Sequence, residues 1–307
     1  MPFEDPREIR AGGEATVDVE VFDERRCTLG EGPTSSGLSN NHIMWVDILG
    51  KKLYAKNAAT GETTVKLTSE EIGFALPGDD GGVVLGYASG AKFAASDGRE
   101  FALPDWQTIW PANPANPVRW NDAKVSPHRQ LYAGTMAFDA TPGAGGLYRI
   151  SSDGKEIRGI IPNVSISNGL DWSPDQSLFY YIDTLTYELA VYDYEEEGIS
   201  NRRTLISFDR GDVLPDGMCV DSDGGLWVAF WNGQCVRRYE PEGKLSQTVD
   251  LPVRNVTSCA FGGPNLKQLF VTTAAVGDED NELSGMTFVV EPGVSGKPFT
   301  LYPNPLA

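Results

Sequence analysis

The sequence has few of the residues that bind zinc or copper, and it has no long apolar segment. Its 307 residues include only two histidines and four cysteines, with no Cys-x-x-Cys pair, so an imidazole or thiolate metal site and structural disulfides are not expected. No run of about 18 apolar residues occurs, and the N-terminus lacks a basic region followed by an apolar core. We therefore predict no transmembrane helix and no secretory signal, and we expect a cytoplasmic location.

Basic residues are also in short supply. There are 25 Lys and Arg residues against 43 Asp and Glu residues, which gives a formal net charge of −18. Nucleic acids and anionic membrane surfaces both require a basic protein face, so neither is expected as a partner. An acidic surface attracts cations, and it also keeps a protein in solution. The sequence does not indicate an oligomeric state.

Long amphipathic helical patterns are missing, whereas turn residues are abundant, with 34 glycines and 20 prolines. Short apolar stretches between turn sequences predict β-strands along most of the chain. Six such units can be counted, and the equivalent positions Asn121, Asn168 and Asp216 lie 47 and 48 residues apart. Repeats of this length predict an all-β, six-bladed β-propeller with four-stranded antiparallel blades. A two-sheet β-sandwich is the alternative, but it does not predict this period.

The first strand-like segment has no hairpin partner beside it. Residues 15–21 alternate between apolar and polar side chains, as a half-buried strand does. We expect residues 17–21 to complete the last blade alongside residues 286–290, so that the N-terminal strand closes the ring. The whole chain, residues 1–307, is then one propeller domain, with roughly the first 14 residues loosely ordered.

Polar residues recur where the innermost strands of the predicted blades begin. Those strand starts converge at one end of a propeller's central channel. The side chains offer only carboxylate and amide oxygens, which suit hard cations such as Ca²⁺, Mg²⁺ or Mn²⁺. Asn-Gly and Asp-Gly pairs also favour turns, but their agreement in register favours a site. The candidates are Glu31, Asn121, Asp122, Asn168 and Asp216, and Asp122 could either support the site or stabilise a turn.

Other catalytic patterns are missing. There is no G-x-S-x-G elbow, no P-loop and no G-x-G-x-x-G motif. His128 lies in a turn at the opposite end of its predicted blade, so a Ser/His hydrolase would lack its base. Asp221 and Asp223 belong to a turn between two strands and lack the later glutamate of a calcium loop. Cys219 lies within an apolar strand, where a buried thiol is expected.

Eight stretches of sequence together match one known family and span most of the chain. They are residues 29–33 (LGEGP), 119–125 (RWNDAKV), 132–136 (YAGTM), 167–172 (SNGLDW), 179–184 (FYYIDT), 200–203 (SNRR), 214–219 (LPDGMC) and 257–263 (TSCAFGG). In these stretches the chain resembles the senescence marker protein, or regucalcin, family, which includes gluconolactonases and luciferin-regenerating-enzyme-like proteins. The resemblance implies a six-bladed propeller with one catalytic metal.

The resemblance further implies that Glu31, Asn168 and Asp216 hold a single divalent cation, with Ca²⁺ favoured over Zn²⁺, Mn²⁺, Mg²⁺ or Fe²⁺. Such a cation would polarise a lactone carbonyl and lower the pKa of a bound water. Asp216 is the expected general base, because a carboxylate within hydrogen-bond reach of that water can accept its proton. The main hypothesis is therefore a gluconolactonase-type hydrolase that opens sugar lactones.

The resemblance also implies that Arg119, Asn121 and Asp139 contact the substrate. Asp139 stands at a position where family members carry the longer glutamate.

Two other functions remain open. A calcium-binding regulatory protein, a role also attributed to this family, would need the same ligands. A hydrolase of another lactone or of an organophosphate ester would use the same metal site, and the residues at the mouth of the pocket would select the different substrate. The tryptophans that could shape this mouth, or instead pack in the core, are Trp106, Trp110, Trp120 and Trp231.

Overall fold

The computed structural model describes residues 18–35, 41–111, 113 and 115–307. These residues form six four-stranded antiparallel sheets and three short 3-10 helices, Trp106–Thr108, Thr184–Thr186 and Pro264–Leu266. The innermost strand of each sheet packs against the innermost strands of the two neighbouring sheets, so the sheets form a closed ring of blades. The predicted six-bladed β-propeller is therefore confirmed, and the sandwich alternative is wrong.

Each blade runs from an innermost strand at the channel to an outermost strand at the rim. Blades one and two contain β2 (Gly30–Ser35), β3 (His42–Asp47), β4 (Lys52–Asn57), β5 (Thr63–Leu67), and β6 (Ile72–Pro77), β7 (Val83–Tyr87), β8 (Gly90–Ala94), β9 (Glu100–Ala102). Blades three and four contain β10 (Val118–Val125), β11 (Leu131–Ala137), β12 (Gly145–Ile150), β13 (Ile157–Val164), and β14 (Ser167–Trp172), β15 (Leu178–Asp183), β16 (Glu188–Glu195), β17 (Gly198–Ser207). Blades five and six contain β18 (Leu214–Val220), β19 (Leu226–Trp231), β20 (Cys235–Tyr239), β21 (Leu245–Asp250), and β22 (Asn255–Gly262), β23 (Gln268–Ala274), β24 (Thr287–Val290) with β1 (Val19–Asp23).

The sixth blade joins the two ends of the chain. β1 pairs with β24, with Val19 opposite Val290 and Val21 opposite Phe288. Because this strand from the N-terminal part supplies the outer edge of the last blade, the ring is closed by hydrogen bonds between sequence-distant segments, as predicted. The N-terminal part of the predicted strand, at Val17, and the first 14 residues lie outside the described residues.

Aromatic side chains fill the space between neighbouring blades. Trp106 and Trp120 are buried together with Phe74 and Tyr148 between blades two and three, and Trp110 packs against this cluster. Large aromatic rings dominate such interfaces because each buries a large apolar area. Trp106 and Trp120 are therefore core residues, which decides between the two roles left open for them.

The structure also bears on two predictions from the sequence, which concern the state of the cysteines and transmembrane helices. All four cysteines are free and buried. Burial raises the pKa of the Cys27 thiol to about 12, with a smaller contribution from the nearby Asp47 charge. Within the described ranges, no helix has the length and apolar character needed to cross a bilayer.

Candidate functional site

The innermost strands share an irregularity at the level of the predicted site. In each of them the pairing with the second strand shifts, as at a β-bulge, near the start of the strand. A bulge re-aims side chains that a regular strand would direct alternately to its two faces. The residues within or bordering these shifts include Glu31 in β2, Asn121 and Asp122 in β10, Asn168 in β14 and Asp216 in β18.

Two glycines allow the strands to approach each other at this level. A Cβ atom at Gly217 would lie 2.2 Å from the hydroxyl oxygen of Ser258 on the neighbouring blade, and one at Gly169 would lie 2.9 Å from the carbonyl oxygen of Asp216. The Asn-Gly and Asp-Gly pairs are thus needed for close packing around the channel and do not form free turns.

A chain of hydrogen bonds connects three of the predicted residues. Arg119 Nη1 donates to Asn121 Oδ1 at 2.7 Å, and Asn121 Nδ2 donates to Asn168 Oδ1 at 2.9 Å. Asn168 Nδ2 in turn donates to Thr184 Oγ1 at 2.8 Å. All four side chains are buried. Blades three and four therefore contribute to a single polar cluster, as the register of the repeats predicts.

Three carboxyl groups lie close enough to this cluster to influence one another. Burial, followed by the charge of Asp122, raises the pKa of Glu31 to about 8. Burial also raises the pKa of Asp122 to about 6, and it raises the pKa of Asp216 well above its usual range with help from the charges of Glu31 and Asp122. Burial lowers the pKa of Arg119 to about 10, so this guanidinium remains cationic at neutral pH. The carboxyl groups of Glu31 and Asp216 retain a proton at neutral pH unless a positive charge offsets their burial and mutual repulsion.

The donor set fits a hard divalent cation. The carboxylates of Glu31 and Asp216 and the amide oxygen of Asn168 are all oxygen ligands, which Ca²⁺ and Mg²⁺ prefer. Two positive charges among these groups would offset the burial and the mutual repulsion that raise the pKa values of Glu31 and Asp216. Across the described ranges, no group of three or more His, Cys, Asp or Glu side chains is arranged to hold a metal. A metal here would therefore depend on Asn168 as well as on the acids.

A separate cavity of about 340 Å³ lies along the channel, with Asp122 in its wall. None of the three predicted metal ligands lines it. Lys124 and Lys297 bind the two oxygens of Asp171 there, at 3.0 Å and 2.7 Å. Although burial raises the pKa of Asp171, these two ammonium groups lower it to about 2. This charge cluster ties the C-terminal segment to the channel wall through Lys297.

Asp139 lies apart from the cluster. It is exposed in the turn after β11, where its Oδ1 accepts hydrogen bonds from the backbone N–H of Thr141 at 3.0 Å and from its hydroxyl at 2.7 Å. These bonds lower the pKa of Asp139. The structure thus shows a turn-stabilising role for this carboxylate, and its contact with substrate stays a prediction.

Sequence reasoning missed the residues that hold the site in place. The carboxylate of Asp47 accepts hydrogen bonds from the backbone of residues 28 and 29, and that of Asp183 accepts them from residues 165 and 166. These loops lead into the strands that carry Glu31 and Asn168. Both aspartates end the second strand of their blade, a repeated position that the sequence could have revealed. Thr184 has no such signal, because it lies beyond the strand ends.

Comparison with known proteins identifies the family and agrees with the fold. Residues 29–275 match the sequence profile of the SMP-30/gluconolactonase/LRE-like region. Regucalcin of Danio rerio is 35% identical over 300 residues, covering 92% of this chain and 98% of the relative. A luciferin-regenerating enzyme structure superimposes with a TM-score of 0.85 at 30% identity, covering 94% of this chain and all of that one. A calcium-binding protein, regucalcin of Agrobacterium tumefaciens, superimposes with a TM-score of 0.83 at 26% identity, covering 92% and 96%.

Proposed function

This chain belongs to the SMP-30/gluconolactonase/LRE-like family, and we propose that it is a divalent-metal-dependent lactonase that opens sugar lactones such as glucono-1,5-lactone. The observation that carries the proposal is the convergence of oxygen ligands and a buried guanidinium at one end of the channel. Arg119 reaches Asn121, and Asn121 reaches the predicted ligand Asn168. The site therefore combines groups for a cation with groups for a polar substrate.

Glu31, Asn168 and Asp216 would hold the cation, which when bound would supply Lewis acidity toward the lactone carbonyl. The side chains of the chain supply the remaining functions. Arg119 is held by Asn121 Oδ1 and by the carbonyl of Trp120, so its guanidinium is oriented to donate to oxygens of the lactone. A carboxylate oxygen of Asp216 accepts the proton of the attacking water. Binding of the cation withdraws charge from this carboxylate, so the base role requires an oxygen of Asp216 within hydrogen-bond reach of the water.

A calcium-binding regulatory role is the second candidate, since several relatives carry the name regucalcin. The buried Arg119 argues for the enzyme. The positive guanidinium repels a Ca²⁺ ion bound nearby and so weakens its binding, which is a disadvantage in a protein that only buffers calcium. The same guanidinium is useful for orienting a substrate. We propose a cytoplasmic location, because all four thiols are free, and a small-molecule lactone as the binding partner.

The test is acid release from a panel of aldonolactones and one organophosphate ester. The protein is stripped of metal with a chelator and refilled separately with Ca²⁺, Zn²⁺, Mn²⁺, Mg²⁺ or Fe²⁺. We expect hydrolysis no faster than the spontaneous reaction in the stripped protein, and recovery with at least one cation. Asp216→Ala should remain folded and lose activity, whereas Asp223→Ala, in the exposed turn at the opposite end of the blade, should remain active.

Three results would contradict parts of the proposal. Equal rates in stripped and refilled protein would exclude metal dependence. A fully active Asp216→Ala variant would remove that residue from the site. Tight cation binding without turnover of any lactone would favour the regulatory role.

A further inference from the structure

Thr184 contacts the site although it comes from outside the innermost strands. It begins the 3-10 helix Thr184–Thr186 that follows β15, and only 3% of its surface is exposed. Its hydroxyl accepts a hydrogen bond from Asn168 Nδ2 at 2.8 Å and donates one to the carbonyl oxygen of Pro215 at 2.9 Å. Pro215 directly precedes Asp216. One hydroxyl therefore joins the parts of blades four and five that carry two predicted metal ligands.

The groups at the two ends of this chain determine the direction of every hydrogen bond in it. The guanidinium of Arg119 can only donate, and the carbonyl of Pro215 can only accept. Because the Thr184 proton points at Pro215, the hydroxyl oxygen must receive an N–H from the amide of Asn168.

The other end of the chain imposes the same orientation. Asn121 accepts from Arg119, so its own N–H groups point to the carbonyl of Ser167 at 2.8 Å and to Asn168 Oδ1 at 2.9 Å. The amide nitrogen of Asn168 thus faces Thr184, and its oxygen faces the side of Asn121. An oxygen carries two lone pairs, so Oδ1 retains one for a cation.

We propose that Thr184 is a positioning residue that holds the amide oxygen of Asn168 toward the divalent cation, an inference that rests on the proposed function. Without the hydroxyl, the amide of Asn168 can turn its nitrogen toward the cation, and an N–H donor is repelled there. The carbonyl of Pro215 loses its donor at the same time, which loosens the backbone beside Asp216. Loss of such a partner of a metal ligand lowers metal affinity by about 10–100-fold.

The test variant is Thr184→Val, which keeps the shape of the side chain and removes only the hydroxyl. The backbone bonds of Thr184 do not depend on that group, because its N–H donates to Ile166 at 3.1 Å and its carbonyl accepts from Tyr187 at 3.1 Å. Titration calorimetry on stripped protein, with Ca²⁺ and with Mn²⁺ alone, should show an affinity loss of about 10–100-fold. Thr184→Ser should restore wild-type affinity. At saturating cation the KM for lactone should be unchanged.

Thr186→Val is the matched control. Thr186 lies in the same helix, but its hydroxyl donates to the backbone carbonyl of Asp183 at 2.7 Å and not to Asn168 or to the backbone beside Asp216. Its cation affinity should equal that of the wild type. An equal loss in both variants would indicate general loosening and overturn the proposal, as would wild-type affinity in Thr184→Val. If Thr184→Val does not fold, Thr184→Ala answers the same question.

Glu31→Gln separates this inference from the proposed function. If the wild type binds neither cation, or Glu31→Gln binds both as tightly as the wild type, the proposed metal site fails. If Glu31→Gln loses affinity while Thr184→Val retains it, only the role of Thr184 fails. Loss in both variants, with rescue by Thr184→Ser, supports both proposals.

Discussion

Asp221→Ala should strongly destabilise the protein without changing its chemistry. Asp221 is fully buried in the turn between β18 and β19, at the opposite end of the blade from Asp216. Its Oδ1 accepts the backbone N–H groups of Asp223 at 3.0 Å and Gly225 at 2.8 Å. Its Oδ2 accepts Trp227 Nε1 at 2.9 Å and Arg238 Nε at 2.7 Å. One carboxylate thus satisfies four donors.

The magnitude follows from what the alanine leaves behind. Arg238 is 7% exposed, so removing Asp221 takes away the buried carboxylate that binds its Nε, and breaking a buried ion pair costs about 3–5 kcal/mol. Arg238 keeps a second partner, because its Nη1 donates to Glu240 Oε1 at 2.7 Å. The loss of the Trp227 and backbone bonds adds to the cost, since each unsatisfied buried donor costs roughly 1–3 kcal/mol and such terms are not additive. We expect a loss of about 4 kcal/mol.

Urea unfolding followed by tryptophan fluorescence measures this loss as a lower midpoint at an unchanged slope. Asp223→Ala is the control in the same turn, because Asp223 is exposed and its substitution should change stability by less than about 0.5 kcal/mol. Lactone hydrolysis per folded molecule should be the same in both variants and the wild type. A loss below about 1 kcal/mol would refute the energetic reasoning. Loss of activity with folding intact would show that the turn belongs to the site.

Two further predictions concern the site. Metal-stripped protein should become less stable as the pH rises from 4.5 toward about 8, because the raised pKa of Glu31 means that the folded state binds this proton more tightly than the unfolded state does. Thermal unfolding at several pH values should show this decline with chelator and a smaller one with cation, and a rise in stability over this range would contradict it. Gly217→Ala should cost about 1–3 kcal/mol and weaken cation binding, because its Cβ would lie 2.9 Å from Ser258 Cα and displace the strand beside Asp216. Gly211→Ala, with open space around its Cβ, is the control, and equal effects of both would argue against a specific clash.

The order of strands and the level of the site could be predicted from the sequence. Alternating apolar residues define strands locally, and a repeat of 47 to 48 residues places Asn121, Asn168 and Asp216 at equivalent points of successive blades. Closure by an N-terminal strand follows from the same local patterns, because one strand lacks a hairpin partner and the last blade lacks a strand. These features depend on the alternation within strands and on the repeat between blades, and a single sequence displays both directly.

Contacts between blades required the tertiary structure. Thr184 reaches Asn168 and Pro215 only because a short helix at the end of β15 docks against the start of β18, and no sequence spacing encodes that approach. The exposed turn position of Asp139 depends on how the loop after β11 folds back on Thr141. The repeat period thus predicted the common level of Asn121, Asn168 and Asp216, but it predicted neither the contribution of Thr184 nor the placement of Asp139. The packing of neighbouring blades decided which atoms of those residues face one another, because hydrogen-bond partners far apart in the chain are selected by distances of a few tenths of an ångström.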